Sequence, residues 1–359
     1  MGAAGTAEGR RREAGATVVP RLQKVEVAFR AALVLAVCAA VLDATGHLNL
    51  LLYAMFGAFT AVYGSNERYR IRARTVTVGG VSILACVGAG LLLSGAPHVQ
   101  LLLAVAVMLV PACLLIAVFQ LLPPQPMFHT IALTVCAVVP VAGDGGLRFG
   151  VAAAAAALSW VVTMSGWIVR RFAPEDAHGP VADVALKQLR RAPIVDVAAV
   201  REPQVWWTIL RDIVGVVAAG AIAYAVHGGR PYWAMVAAIS VLPVTKAPDR
   251  LVRALERIGG TLVGVLVVGA VLAMHWPRAA LVVLVVVCQF FIESTVLKRY
   301  AVATTFITTM VLCSLSFVVP VAHPLLVERL VETIIGSAVA VVLMLGTQWI
   351  RERRSGAPG

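Results

Sequence analysis

Glu328, Arg329 and Glu332 form the densest set of ionisable residues inside any apolar stretch of this chain. On a helix, Glu328 and Glu332 stand at i,i+4, and Arg329 and Glu332 at i,i+3, so the three share a face. Two carboxylates sharing one arginine away from water hold a proton loosely, which suits proton coupling; a structural charge cluster is the alternative. Arg257 opens a second apolar run beside Gly259, Gly260, Thr261 and Gly264. A guanidinium at a helix N-terminus suits a carboxylate ligand, and the glycines equally suit close helix packing. Glu293 stands about one helical turn before Lys298-Arg299, either as a further proton-coupling group or as the partner of those cations.

These residues belong to a chain that repeats at an offset of 180 residues. Val138-Val139-Pro140-Val141-Ala142 returns as Val318-Val319-Pro320-Val321-Ala322, and the same offset pairs His47 with His227, Ala54-Met55 with Ala234-Met235, Arg70 with Arg250, and Gly79-Gly80 with Gly259-Gly260. Duplicated helical halves recur in secondary transporters. The register also matches Tyr53 with Trp233, as rings able to stack on an aromatic substrate or as members of an interfacial belt. It sets His129 against Thr309, polar groups expected to face the bundle interior. Arg250 joins Arg70, Lys246 and Arg257 in a basic rim able to gather anions.

Composition sets the solvent. The chain has 60% hydrophobic and 13% charged residues, so its apolar surface exceeds what one water-soluble core hides. Its mean hydropathy of +0.90 agrees. The net charge of +12 does not point to nucleic acid, because the Lys and Arg lie between apolar runs, as in membrane topogenesis. The six cysteines read as small buried hydrophobes, with no CxxC among them. Five of the seven histidines lie at predicted outer helix ends, and no HExxH spacing supports a metal. No GxxxxGK[ST] loop is present to drive transport with ATP, no catalytic constellation supports an enzyme, and no cofactor is expected.

Six apolar segments are expected in each half: about 26–44, 48–64, 75–94, 99–121, 127–143 and 147–169, then about 207–226, 231–245, 257–275, 278–297, 300–321 and 325–350. This predicts an all-α membrane protein of about twelve transmembrane helices in two parallel six-helix repeats. The organisation is a leader (1–25), a first repeat (26–171), a linker (172–206), a second repeat (207–350) and a tail (351–359). Alternate loops collect the Lys and Arg, which places both termini in the cytoplasm of a multi-pass cell-membrane protein. Segments 48–64 and 231–245 are short for a crossing, either as short spans or as re-entrant helices. Val181, Val184, Ala185 and Leu189 predict an amphipathic linker helix.

Within the second half, Tyr232-Trp233-Ala234, then Arg257-Ile258-Gly259-Gly260-Thr261-Leu262-Val263-Gly264, Glu293, Lys298-Arg299-Tyr300, Thr308-Thr309 and Arg329-Leu330-Val331-Glu332-Thr333-Ile334-Ile335-Gly336 follow in order. This pattern resembles the fusaric-acid-resistance (FUSC) family of integral membrane proteins, and more distantly the plant aluminium-activated malate channels. The resemblance covers about residues 205–350 and is weaker over 25–170. It implies export of small organic, often aromatic, acids; the proton gradient is the drive expected from the Glu328, Arg329 and Glu332 cluster. A passive anion channel and a non-transporting membrane subunit are the rival readings. The partners expected are a small organic anion, membrane lipid and, optionally, further copies of the chain.

Overall fold

The computed structural model describes residues 25–64, 67–141, 143–172, 195–227, 231–243, 247–296, 298–319, 321 and 323–355. Among these the regular structure is helical, with no strand. In chain order the helices are α1 (Val25–Ala44), α2 (Leu51–Ala58), α3 (Tyr69–Leu92), α4 (His98–Phe119), α5 (Met127–Val138) and α6 (Gly145–Phe172). After the linker come α7 (Pro203–His227), α8 (Tyr232–Val241), α9 (Ala247–Ala273), α10 (Arg278–Thr295), α11 (Tyr300–Leu315) and α12 (His323–Ser355). The amphipathic helix expected near Val181 lies outside the described residues.

Eight of these helices are long and apolar enough to cross a bilayer; α2, α5, α8 and α11 are shorter. Twelve full crossings are therefore more than helix length supports. The short helices are also the buried ones: every residue of α2 and of α8 is buried, as are nearly all of α5 and most of α11. A helix enclosed by protein on all sides has no lipid face and need not match the hydrocarbon thickness of about 30 Å. The long helices supply the lipid face instead, with Leu103 and Val107 of α4, Leu262 and Leu266 of α9, and Val342 and Leu345 of α12 exposed.

The two halves use the same pairings. Helix α2 packs on α6 as α8 packs on α12, and α3 packs on α5 and α6 as α9 packs on α11 and α12. Between halves, α4 meets α7, α5 meets α8, and α11 touches α2. Small residues set the closest seams, because without a side chain two helix backbones can approach. A Cβ on Gly57 of α2 would overlap the Ala152 carbonyl of α6, and one on Gly336 of α12 would overlap the Ala234 carbonyl of α8. The glycine has changed sides of an equivalent seam: on the short helix in the first half, on the long one in the second. Gly260 and Gly264 of α9 likewise lie against Ala301, Thr304 and Thr308 of α11.

These contacts predict opposite outcomes for two alanine substitutions. Gly336→Ala forces a methyl against backbone and should cost about 1–3 kcal/mol. Gly259→Ala meets nothing within 4 Å and should gain up to about 1 kcal/mol from helix propensity. Thermal unfolding of the purified protein in detergent, with both variants side by side, checks the sign of each.

Two helices begin earlier than hydropathy predicts. Arg70, Arg72 and Arg74 belong to α3, and Arg250, Arg253 and Arg257 to α9, where the reading from sequence expects loops ahead of segments at 75 and 257. Pro248 in the first turn and Asp249 beside it favour that earlier start, since the turn's N–H groups have no carbonyl partners and its dipole favours an anion. Hydropathy excludes charged turns from a segment; helix geometry does not.

Candidate functional site

The N-terminus of α8 is enclosed by the protein, so its first-turn N–H groups need acceptors. Glu332 of α12 provides one: its Oε2 accepts from Trp233 N at 3.0 Å and Ala234 N at 3.3 Å. The carboxylate reaches them because Gly336, one turn further along α12, lets that helix close on Ala234. Arg329, one turn before Glu332 on the same face, is fully buried with its guanidinium carbon 4.0 Å from the Trp233 ring centre. Its Nη1 donates to Thr333 Oγ1 at 3.1 Å, while Nε and Nη2 have no hydrogen-bond partner among the described residues.

Arg257 of α9 supplies a second fully buried guanidinium. Its Nη1 donates to Tyr300 Oη at 3.0 Å, and Nε and Nη2 again have no partner among the described residues. Arg253, one turn earlier, lies 3.3 Å over the Tyr300 ring. One turn later the Thr261 hydroxyl is buried without a partner, as are those of Thr304 and Thr308 on the facing α11. A stripe of unpaired donors thus follows the α9–α11 seam away from Arg257.

The energetics of this cluster are unfavourable for a purely structural feature. Enclosing an ion costs several kcal/mol unless an opposite charge and hydrogen bonds offset it. Each buried donor without an acceptor costs about 1–3 kcal/mol more. Arg257 and Arg329 form no ion pair among the described residues, and four of their guanidinium nitrogens go unbonded. The cluster can accept an anion.

The first half shows what a neutralised version looks like. Tyr53 occupies the place of Trp233 in the repeat, and Arg148 of α6 lies over its ring at 5.3 Å and donates to its hydroxyl at 2.7 Å. Arg148 is held by Asp144 at 2.8 Å. Both aromatic residues are buried, with one face already taken by arginine, so neither sits in an interfacial belt.

Other residues singled out from sequence lie elsewhere or bond differently. Glu332 and Glu328 do not share Arg329 in an ion pair: Glu332 bonds the backbone of α8, and Glu328 is only half-buried. Glu293 accepts from Gln289 Nε2 at 3.2 Å, a neighbour the charge pattern did not suggest. His129 bonds Ser82 of α3 at 2.8 Å, and Thr309 is buried on α11 with its hydroxyl unpaired. Arg250 is buried near the start of α9, and Gly260 serves the α9–α11 seam. Tyr300, Thr304 and Thr308 were not assigned roles from sequence; their positions facing Arg257 and the α9 glycines are what reveals them.

A cleft of about 410 Å³ opens between α4 and α7, lined by Gln120, Gln204, Thr208 and Asp212 among apolar side chains. Its carboxylate, Asp212, already bonds Arg211 at 2.7 Å. The cleft has room, but no Lys or Arg is among the residues that line it.

Comparison with known proteins meets this cluster directly. Residues 217–343 match the family described as fusaric acid resistance protein-like. That stretch contains Trp233, Arg257, Tyr300, Arg329 and Glu332. A similar protein is the uncharacterized membrane protein YvaC of Bacillus subtilis (strain 168), 29% identical over 140 residues. The alignment takes in 38% of this chain and 22% of YvaC, so the chain spans about a fifth of that relative's length. No solved structure matches. The fusaric-acid-resistance-like region and the long apolar helices together make this a multi-pass membrane protein.

Proposed function

We propose that the protein is a secondary transporter that exports small organic or aromatic carboxylates, with Arg257 and Arg329 as the anion-binding pair and Glu332 as the proton-coupling group. The observation that carries this reading is a pair of fully buried guanidinium groups that, among the described residues, have unbonded donors and no carboxylate in ion-pair contact. A charge kept inside a membrane protein at that cost is a functional candidate by default. The match to the fusaric-acid-resistance-like family supports a transport role. The test is accumulation of labelled benzoate by cells with and without the gene: export lowers accumulation, and an uncoupler abolishes the difference. A difference that survives the uncoupler indicates passive conduction in its place.

The architecture in this reading is two parallel six-helix repeats, 26–171 and 207–350, in the cell membrane with cytoplasmic termini. The duplicated pairings of α2–α6 and α8–α12 support it. The short inner helices then put the α8 N-terminus, and the anion seat beside it, inside the membrane profile, as in transporters with discontinuous helices. Single cysteines test the orientation in a background free of the native six. Cysteines at Ser65 and Pro248 should resist impermeant thiol reagents in intact cells, and those at Ala96 and Gly229 should react. Labelling at Pro248 from outside overturns the orientation.

A further inference from the structure

We infer that the cleft between α4 and α7 is a second binding site, built for an uncharged aromatic alcohol. Its walls come from helices other than those carrying Arg257 and Arg329, so it goes beyond the anion site and stands or falls separately. Its volume of about 410 Å³ lies within the roughly 300–1,000 Å³ of small-molecule sites. Helix α4 belongs to the first half of the chain and α7 to the second, so a molecule bound here bridges the halves.

Local structure sets the walls. Gln120 ends α4 in the left-handed region, at φ 46°, and Leu121 N returns to the Ile116 carbonyl at 3.0 Å. That turn sets Leu121 and the loop up to Pro126 along one side of the cleft. The chain leading into α7 is tied down as well: Asp196 N donates to the Val118 carbonyl at 2.9 Å, and Trp206 Nε1 to the Val200 carbonyl at 2.7 Å. Ile116, Leu121 and Ile209 give the cleft an apolar lining that suits a ring.

The polar groups choose the charge of the ligand. Asp212 is buried, and both bonds from Arg211, Nε at 3.0 Å and Nη2 at 2.7 Å, fall on Oδ1. Its Oδ2 accepts no hydrogen bond among the described residues. One turn earlier, Thr208 spends its hydroxyl hydrogen on the Gln204 carbonyl at 2.9 Å, so its oxygen offers only lone pairs. An organic anion brings further acceptors to these two, and no Lys or Arg lines the cleft to receive it. An organic cation must shed water beside a carboxylate that Arg211 already neutralises, which leaves little to offset the cost. An uncharged hydroxyl costs less to desolvate, donates to Oδ2 in a charge-assisted bond, and can accept from the Gln204 amide.

The test uses three labelled probes of one ring system: 1-naphthol, 1-naphthoate and 1-naphthylmethylamine, which at about pH 7 are uncharged, anionic and cationic. Each is titrated onto the purified full-length protein in lipid nanodiscs, with empty nanodiscs as the reference for partition into lipid. Ala117→Phe puts a ring into the cleft from α4, so the binding that this variant removes is the binding in the cleft. That component should be one 1-naphthol per chain, weakened about tenfold or more by the substitution, with either charged probe held about tenfold more weakly than 1-naphthol. Cys113 also lines the cleft. In a protein with the other five cysteines replaced, 1-naphthol should slow its modification by methyl methanethiosulfonate, which locates the probe even where Ala117→Phe does not fold. A cleft component as strong for 1-naphthoate or 1-naphthylmethylamine as for 1-naphthol overturns the uncharged class. Signals no greater than in empty nanodiscs, or 1-naphthol binding that neither weakens in Ala117→Phe nor protects Cys113, overturn the site. Neither result touches the anion site, which is read from benzoate export and Arg257→Ala.

Discussion

Arg257→Ala is expected to lose export while leaving the protein as stable as wild type or more so. Each charge-assisted hydrogen bond to the substrate is worth about 1.5–3 kcal/mol, so apparent affinity should fall about 10- to 100-fold. Stability follows the opposite logic. Arg257 is fully buried, with two guanidinium nitrogens unbonded, so removing it relieves a desolvation cost and exposes no partner carboxylate. Tyr300 loses its 3.0 Å bond, which offsets part of the gain. Arg253→Ala, by contrast, removes a cation that is only partly buried and stacks over the Tyr300 ring, so its effect on export should be smaller. Transport kinetics and thermal unfolding measured on the same preparations separate the roles. A structural arginine loses both together; a binding arginine loses transport alone.

Glu332→Gln is expected to uncouple the protein. The amide oxygen can still accept from Trp233 and Ala234, so the α8 cap and the α8–α12 seam persist. No proton can then be gained or lost at the seat. Export driven by a proton gradient should fall about tenfold or more. Exchange of labelled for unlabelled substrate across the membrane, which needs no net proton movement, should continue. A parallel drop in both activities, with reduced protein in the membrane, marks a structural role. Intact gradient-driven export places coupling elsewhere, with Glu293 the next group to test.

Much of this was legible from sequence. The membrane class follows from composition, the helices from long apolar runs, and Arg257, Arg329 and Glu332 from their cost inside those runs. The sequence reading assigned them to two separate sites, anion binding and proton coupling, because they lie on different segments. Packing of α9 and α12 against each other brings them into one region. The partner of Glu332 was not legible at all. It is the backbone of Trp233 and Ala234, and a backbone N–H leaves no mark on residue type. Helix starts were misjudged at α3 and α9 for a related reason: arginines that look like loop residues occupy helical turns buried by neighbouring helices, as Arg72 and Arg250 show. The length of the short helices was misjudged at α5 and α11, whose apolar runs continue beyond the helix into turns.

The measurement closest to the central claim is uptake of labelled benzoate into proteoliposomes of the purified protein, with and without an imposed pH gradient. Saturable uptake that rises with the gradient, and is lost in Arg257→Ala and in Arg329→Ala, is the predicted result. Uptake no greater than in empty liposomes, or equal in wild type and both arginine variants, would contradict it.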